Sequence, residues 1–204
     1  MKCSCTRSKK SKKNQATIEM PKVVFSDRAM AALMTETRQM ISTETGGVFL
    51  GHKQDDVWYI IESIDPGPNS VFLKVYFEYD TPYINHLINK INKLYHCELD
   101  LIGLWHRHPG SLDTFTSTDD GTNTEYAKLN PGGAISALVN IDPEFRLTMY
   151  GVTLPLQYQE LPYEVGDDKI PAQYLEYISM ETTMRQINNA HARYVNVNAK
   201  PKEE

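Results

Sequence analysis

Cysteine is scarce in this chain: Cys3, Cys5 and Cys97 are its only ones in 204 residues. They are too few and too oddly placed for a disulfide framework, and Cys3 and Cys5 stand too close together for the usual zinc-knuckle spacing, so a reducing compartment is expected. Long apolar runs are missing as well. Nothing approaches the roughly 18 to 20 residues that a membrane-crossing helix needs, and the N-terminal lysines have no apolar segment behind them. The expectation is a cytoplasmic protein with no membrane partner. Acidic side chains are absent from residues 1–13, which carry six Lys/Arg, leaving 15 basic against 26 acidic side chains in the remainder, a net of −11. Such a segment cannot bury enough apolar surface to order itself, so residues 1–20 read as a disordered, solvated basic tail, and nucleic acid is not the expected partner.

The chain has an ordinary globular balance, 41% hydrophobic and 23% charged, enough for one domain with a core of its own. Lys22 to Phe25 reads as a short strand, and Ser26 is placed to cap a helix whose stripe is Met30, Leu33, Met34, Thr37 and Ile41, ending near Ser42 to Thr43. Gly46 to Leu50, Val57 to Ile64 and Val71 to Tyr79 read as strands, the last two split by the turn-rich segment from Asp65 to Ser70. Thr81-Pro82 opens a second helix with Ile84, Leu87, Ile88, Ile91 and Leu94 on one face. Leu99 to Trp105 suits a strand buried on both faces. A polar helical stretch from about Asp119 to Leu129 precedes strands at Ala134 to Ile141 and Phe145 to Val152, and Gln173 to Ala190 patterns weakly as a C-terminal helix. Strands interleaved with helices indicate an α/β (α+β) fold, and short links between Gly46 and Tyr79 favour antiparallel pairing there, giving a mixed sheet flanked by helices.

Chemistry concentrates where the buried strand runs into His106-Arg107-His108-Pro109-Gly110. Side chains alternate along a strand, so His106 and His108 share one face and Arg107 takes the other, where an acid across the sheet is its expected partner. Two neutral imidazoles plus one carboxylate suit zinc with a fourth position open, the pattern of a catalytic rather than a structural site. The loop after them offers Asp119, with Asp120 as the fallback about 100° around a helix start. Thr116 is placed to begin a capping box there, which is compatible with a ligand role because a helix start would orient Asp119. Hydrolysis also needs a proton acceptor that is not itself a tight ligand. Glu44, just before the Gly46-Gly47-Val48-Phe49-Leu50-Gly51 strand, is the candidate. His52, His86, His96 and His191 lack any such context and read as surface or packing residues.

Glu44, then His106-Arg107-His108-Pro109, then Thr116-Ser117-Thr118-Asp119 after seven intervening residues together resemble the motif of the JAMM metallopeptidases, the JAB/MPN-domain family. The register selects Asp119 over Asp120, and the order of elements from about 22 to 152 is similar too. The resemblance implies an MPN/JAB-like sheet with a cytidine-deaminase-like layer arrangement, a JAB/MPN metallopeptidase domain over residues 21–165 and a C-terminal helical extension over 166–204. It implies one Zn2+ held by His106, His108 and Asp119, Glu44 as general acid/base, and a hydroxyl at Thr116 that helps an oxyanion, with Ser117 as its substitute if the loop shifts by one. The family usually has Ser or Thr where this chain has Arg107, and Ser where it has Thr116; neither departure removes a ligand.

The implied reaction is hydrolysis of the bond after the C-terminal glycine of a ubiquitin-like protein, either an isopeptide bond to a target or a precursor extension. The chain's small size resembles the stand-alone bacterial JAB-domain proteins, some of which are encoded beside ubiquitin-like modifiers and their activating and conjugating enzymes in antiphage defence operons. A sulfur-carrier protein or a small-molecule adduct is an alternative substrate within the same family. A non-catalytic MPN scaffold is expected to lack part of the metal set, which this chain keeps. A RadC-like protein is expected to carry His-Asn-His-Pro-Ser-Gly where this chain has His-Arg-His-Pro-Gly-Ser. A zinc nucleotide deaminase needs His-x-Glu and Cys-x-x-Cys, and neither occurs.

Overall fold

A computed structural model describes residues 21–73, 77–110 and 112–198. The basic segment at residues 1–20, with Cys3 and Cys5, lies outside the described residues. The chain opens with strand β1 (Lys22–Phe25), helix α1 (Asp27–Gln39), and strands β2 (Thr45–Gln54) and β3 (Val57–Ile64). Two short strands, β4 (Val71–Phe72) and β5 (Phe77–Glu78), precede helix α2 (Thr81–Ile91). Strand β6 (Asp100–Arg107), helix α3 (Ser117–Leu129) and strands β7 (Ala134–Asn140), β8 (Arg146–Thr153), β9 (Gln157–Leu161) and β10 (Tyr163–Val165) follow. A 3₁₀ turn at Asp167–Lys169, helix α4 (Ala172–Leu175) and helix α5 (Met180–Asn198) complete it.

Eight strands form one mixed sheet in the order β10-β1-β3-β2-β6-β7-β8-β9. Strands β2 and β3 pair antiparallel, as the short link between them predicts, while β6 and β7 pair parallel across the α3 connection. Both faces of the sheet are covered, and the two-residue period of each strand divides the core. Phe25, Phe49, Ile60, Trp105, Ile135 and Met149 pack with Ala29 and Leu33 of α1 on one face. Val24, Val48, Leu50, Ile61 and Ile64 pack with Ile84 of α2 on the other.

The local signals explain most of the boundaries. Ser26 caps α1 by accepting from the Ala29 N–H, and its hydroxyl also donates to the Ile61 carbonyl at 2.7 Å, which ties the helix start to β3. Asp80 caps α2 and Pro82 stands in its first turn, where its missing N–H costs nothing. Helix α1 ends at Gln39, earlier than Ser42, because the backbone of Met40 leaves the helical region.

Three expectations are corrected. Val71 to Tyr79 is not one strand of the main sheet. Its ends form a separate two-stranded ribbon, Val71 opposite Glu78 and Phe72 opposite Phe77, so the chain doubles back within the segment; residues 74–76 lie outside the described residues. Second, the C-terminal stretch from Gln173 is not one helix: α4 stops at Leu175 and α5 begins at Met180, because Glu176 is extended and the segment after it is held in pairing, Tyr177 bridging Tyr95 and the Ile178 N–H donating to Leu94. Third, among the described residues Arg107 takes backbone carbonyls and not an acid as its hydrogen-bond partners, with Glu44 acting on it only through its charge. Its Nη2 donates to the carbonyls of Met40 and Thr43, because on the face opposite the histidines it runs beneath the end of α1. Strands β9 and β10 lie beyond the strands that periodicity marks; β10 pairs with the far edge at β1, a contact no local pattern encodes.

Candidate metal centre

His106 is the next-to-last residue of β6, and His108 follows the strand's end by one residue. Alternation puts both on the face opposite Trp105 and Arg107, and both are buried. Gly46 is the residue paired with His106 in β2, and it keeps the two strands close at this point. A Cβ there would come within 2.6 Å of the Trp105 carbonyl oxygen and 3.2 Å of the His106 Cβ.

Asp119 is the third residue of α3, and a capping box aims it. The Thr116 hydroxyl accepts from the Asp119 N–H at 3.3 Å, and the Asp119 carboxylate accepts from the Thr116 N–H at 2.6 Å. The Thr116 hydroxyl proton is itself donated to Asp119 Oδ2, at 2.7 Å. Held this way, Asp119 Oδ1 lies 3.3 Å from His106 Nε2, and Oδ2 lies 3.3 Å from His108 Nε2. One potential ligand atom from each of the three residues lies within 4.8 Å of the other two, so the group could hold a metal ion. His106 Nε2 is buried and faces Asp119 without the direction of a hydrogen bond, a nitrogen lone pair or N–H left for another partner. Asp120 points elsewhere, accepting the Tyr158 hydroxyl at 2.7 Å.

Electrostatics bind the three together. Burial alone would raise the Asp119 pKa, but the facing imidazoles of His106 and His108 and the Thr116 N–H outweigh it and hold the carboxyl far below the usual carboxylate range. Burial alone would lower the His108 pKa, and the Asp119 and Glu44 carboxylates outweigh that and raise it.

Glu44 lines the same cavity, a hollow of about 200 Å³ whose walls also include Phe77, Tyr79, Leu104, Leu112 and Thr116. It stands just before β2, with its N–H donating to the Leu73 carbonyl at 3.1 Å, and it is half-buried. Burial raises its pKa, with Asp119 adding to the effect and His108 and Arg107 opposing it. The arrangement is thus a carboxylate with raised proton affinity beside three metal-competent ligands. All five residues singled out in the sequence, Glu44, His106, His108, Thr116 and Asp119, line this one cavity. Ser117 is exposed at the helix start and is not among the lining residues.

The apolar wall was not foreseen. Phe77 and Tyr79 come from the ribbon segment, and their alternate spacing was the available signal that they share a face. Among the other histidines, His86, His96 and His191 are exposed, and His52 stacks on Tyr174 with ring centroids 4.1 Å apart.

No helix among the described residues is long and apolar enough to cross a membrane. No protein-family model matches the chain, and no curated protein does. Among solved structures, the chain is similar to the solution structure of protein DSY2949 from Desulfitobacterium hafniense, with a TM-score of 0.52 and 12% sequence identity over 72% of this chain and 97% of that one. At that identity the likeness concerns the fold alone, an α+β architecture with a large mixed sheet flanked by helices.

Proposed function

We propose that this chain is a zinc-dependent peptidase of the JAMM type, with an MPN/JAB-like layer arrangement, that hydrolyses the bond following the C-terminal glycine of a ubiquitin-like protein. The observation that carries the proposal is the convergence of His106, His108 and Asp119 on one point, with Glu44 on the wall of the same cavity. Two ligands about 2.05 Å from a tetrahedral ion stand about 3.3 Å apart, the edge expected for zinc bound by His nitrogen and carboxylate oxygen. Each imidazole nitrogen has one Asp119 oxygen at about that distance, Oδ1 for His106 and Oδ2 for His108, both at 3.3 Å. The donor set also favours zinc over magnesium or calcium, which prefer oxygen ligands throughout.

Zinc, when bound, supplies Lewis acidity to a carbonyl oxygen and to water. The remaining chemistry belongs to the chain. Glu44 is outside the group of three that converge as ligands, so its carboxylate is free to take a proton from water and return it to the leaving amine. Its raised pKa suits that exchange better than an ordinary surface carboxylate would. Phe77, Tyr79, Leu104 and Leu112 give the cavity an apolar wall, which strengthens charge interactions beside it. A hollow of about 200 Å³ is smaller than pockets that take drug-sized ligands, which supports an extended glycine tail over a bulky side chain. Thr116 spends its hydroxyl proton on Asp119, so its first contribution is to orient that ligand; it reaches an oxyanion only by releasing the carboxylate.

The test is to incubate the purified protein with ubiquitin-like fusions ending in glycine, with and without a chelator, alongside Glu44→Gln. Cleavage that the chelator abolishes is expected. Glu44→Gln should keep zinc by elemental analysis while kcat drops by about 10²- to 10⁴-fold, the usual contribution of a general base. Full turnover in Glu44→Gln would remove Glu44 from the mechanism.

A further inference from the structure

Tyr158 stands outside the cavity, on the edge strand β9, yet it touches both sides of the segment that carries Asp119. Its hydroxyl donates to Asp120 Oδ1 at 2.7 Å and accepts from Asn123 Nδ2 at 3.0 Å. Asp120 and Asn123 are three apart on α3, so they are neighbours on the helix surface, Asp120 about 100° and Asn123 about 40° around from Asp119. The ring of Tyr158 stacks on Phe115, with centroids 4.7 Å apart and planes 22° apart. Phe115 immediately precedes the capping Thr116, and its own ring lies 5.6 Å from that of His106.

These contacts act on the one degree of freedom that the capping box leaves open. The box closes a ring between Thr116 and Asp119, but both belong to the same turn and would rotate together with the helix. Side-chain atoms lie about 6 Å from a helix axis, so a rotation of about 10° carries a carboxylate about 1 Å. That displacement exceeds the roughly 0.5 Å within which a site must be held. A grip on the neighbouring helix face, anchored in another strand, resists it. Burial and the hydrogen bond to Asp120 raise the pKa of Tyr158, so the hydroxyl remains a donor across the neutral range.

We propose that Tyr158 is a positioning residue for the metal centre: its hydroxyl on Asp120 and Asn123, with its ring on Phe115, sets the rotation of α3 and so aims Asp119 at His106 and His108. The inference rests on the reading of those three residues as metal ligands. Tyr158 touches neither metal nor substrate. It works as the outer partner of a ligand does, by fixing orientation, an effect commonly worth 10- to 100-fold in metal affinity.

The experiment compares wild type, Tyr158→Phe and Asp120→Asn by chelator-competition measurement of zinc affinity, with the visible absorption of the cobalt-substituted proteins as a report on ligand geometry. Tyr158→Phe keeps the stacked ring and loses only the hydroxyl; it is expected to bind zinc at least about tenfold more weakly and to shift the cobalt spectrum. Asp120→Asn retains an oxygen that accepts the hydroxyl and is expected to bind as wild type does. Unchanged zinc affinity in Tyr158→Phe would overturn the assignment. If wild type itself takes up no zinc, the metal reading falls, and crystal structures of metal-free wild type and Tyr158→Phe decide the positioning role. An Asp119 carboxylate displaced by about 1 Å in the variant supports it, and one still in place against both histidines overturns it.

Discussion

Asp119 and Asp120 are neighbours in the chain and point to different partners: the carboxylate of Asp119 stands 3.3 Å from both His106 and His108, while that of Asp120 accepts a hydrogen bond from Tyr158 at 2.7 Å. One helical step of about 100° separates the two directions. The helix thus offers one carboxylate to the cavity and uses the other to stay in place.

The first prediction concerns the metal itself. A bound ion that the unfolded chain does not hold stabilises the fold by mass action, about 2.7 kcal/mol at a hundredfold excess over Kd. Wild type should therefore melt at a lower temperature after chelation. His106→Ala and Asp119→Ala should contain no zinc and show no chelator-dependent change in Tm. Purified wild type that holds no metal, and whose melting ignores chelators, would end the metal reading.

Thr116 separates capping from catalysis. Thr116→Ser keeps the hydroxyl that accepts from the Asp119 N–H and donates to its carboxylate, and should match wild type in stability and zinc affinity. Thr116→Val keeps the shape without the hydroxyl and should cost about 1 kcal/mol in urea denaturation, with weaker zinc binding. Equal stability of the two variants would show that the cap contributes nothing.

Arg107 joins the metal strand to the loop that leads to Glu44. It is fully buried and donates to the Met40 and Thr43 carbonyls. Arg107→Met fills similar space and leaves both carbonyls without this donor, an expected loss of about 3 kcal/mol in chemical denaturation. Because Thr43 adjoins Glu44, peptidase activity should fall under conditions where the variant is fully folded. A variant as stable and active as wild type would show that water replaces the guanidinium without cost.

The pH dependence of stability has a component at Glu36, which accepts the Thr45 hydroxyl at 2.8 Å. Burial raises its pKa in the folded chain, with the Thr45 hydrogen bond opposing and Asp65 adding to the rise. A raised folded pKa means that the native state prefers the protonated form. The stabilising contribution is complete below the unfolded value of about 4.3 and is lost as pH rises through the folded value. Glu36→Gln, which keeps the acceptor oxygen and removes the charge, should raise the urea midpoint at neutral pH, and its advantage should shrink as the pH is lowered toward 4. An advantage constant with pH would assign the effect to packing rather than to charge.

Local pattern carried much of this structure. The period of two in Val23–Phe25 and Val48–Leu50 distributes their side chains between the two faces of the sheet, and Ser26, Asp80-Thr81-Pro82 and Thr116 mark helix starts with their own hydrogen-bonding chemistry. The same period puts His106 and His108 on one face and Arg107 on the other; the helical step separates the directions of Asp119 and Asp120, and the register of the resembled motif chose between them. Where pattern misled, a longer-range contact had intervened: Val71 to Tyr79 has strand composition but doubles back as a ribbon, and the helical stretch after Gln173 is interrupted where Tyr177 pairs with Tyr95.

By itself, then, the sequence determined most of the elements, their buried faces and the shared face of the two histidines, because each depends on spacing within a few residues. Which of them meet was decided only by the tertiary structure. Glu44 comes to the histidines because β2 pairs with β6, and Tyr158 reaches Asp120, 38 residues away, because β9 returns alongside β8. Sheet order sets these encounters, and it follows from how all the strands share one core, a property that no short window of residues contains.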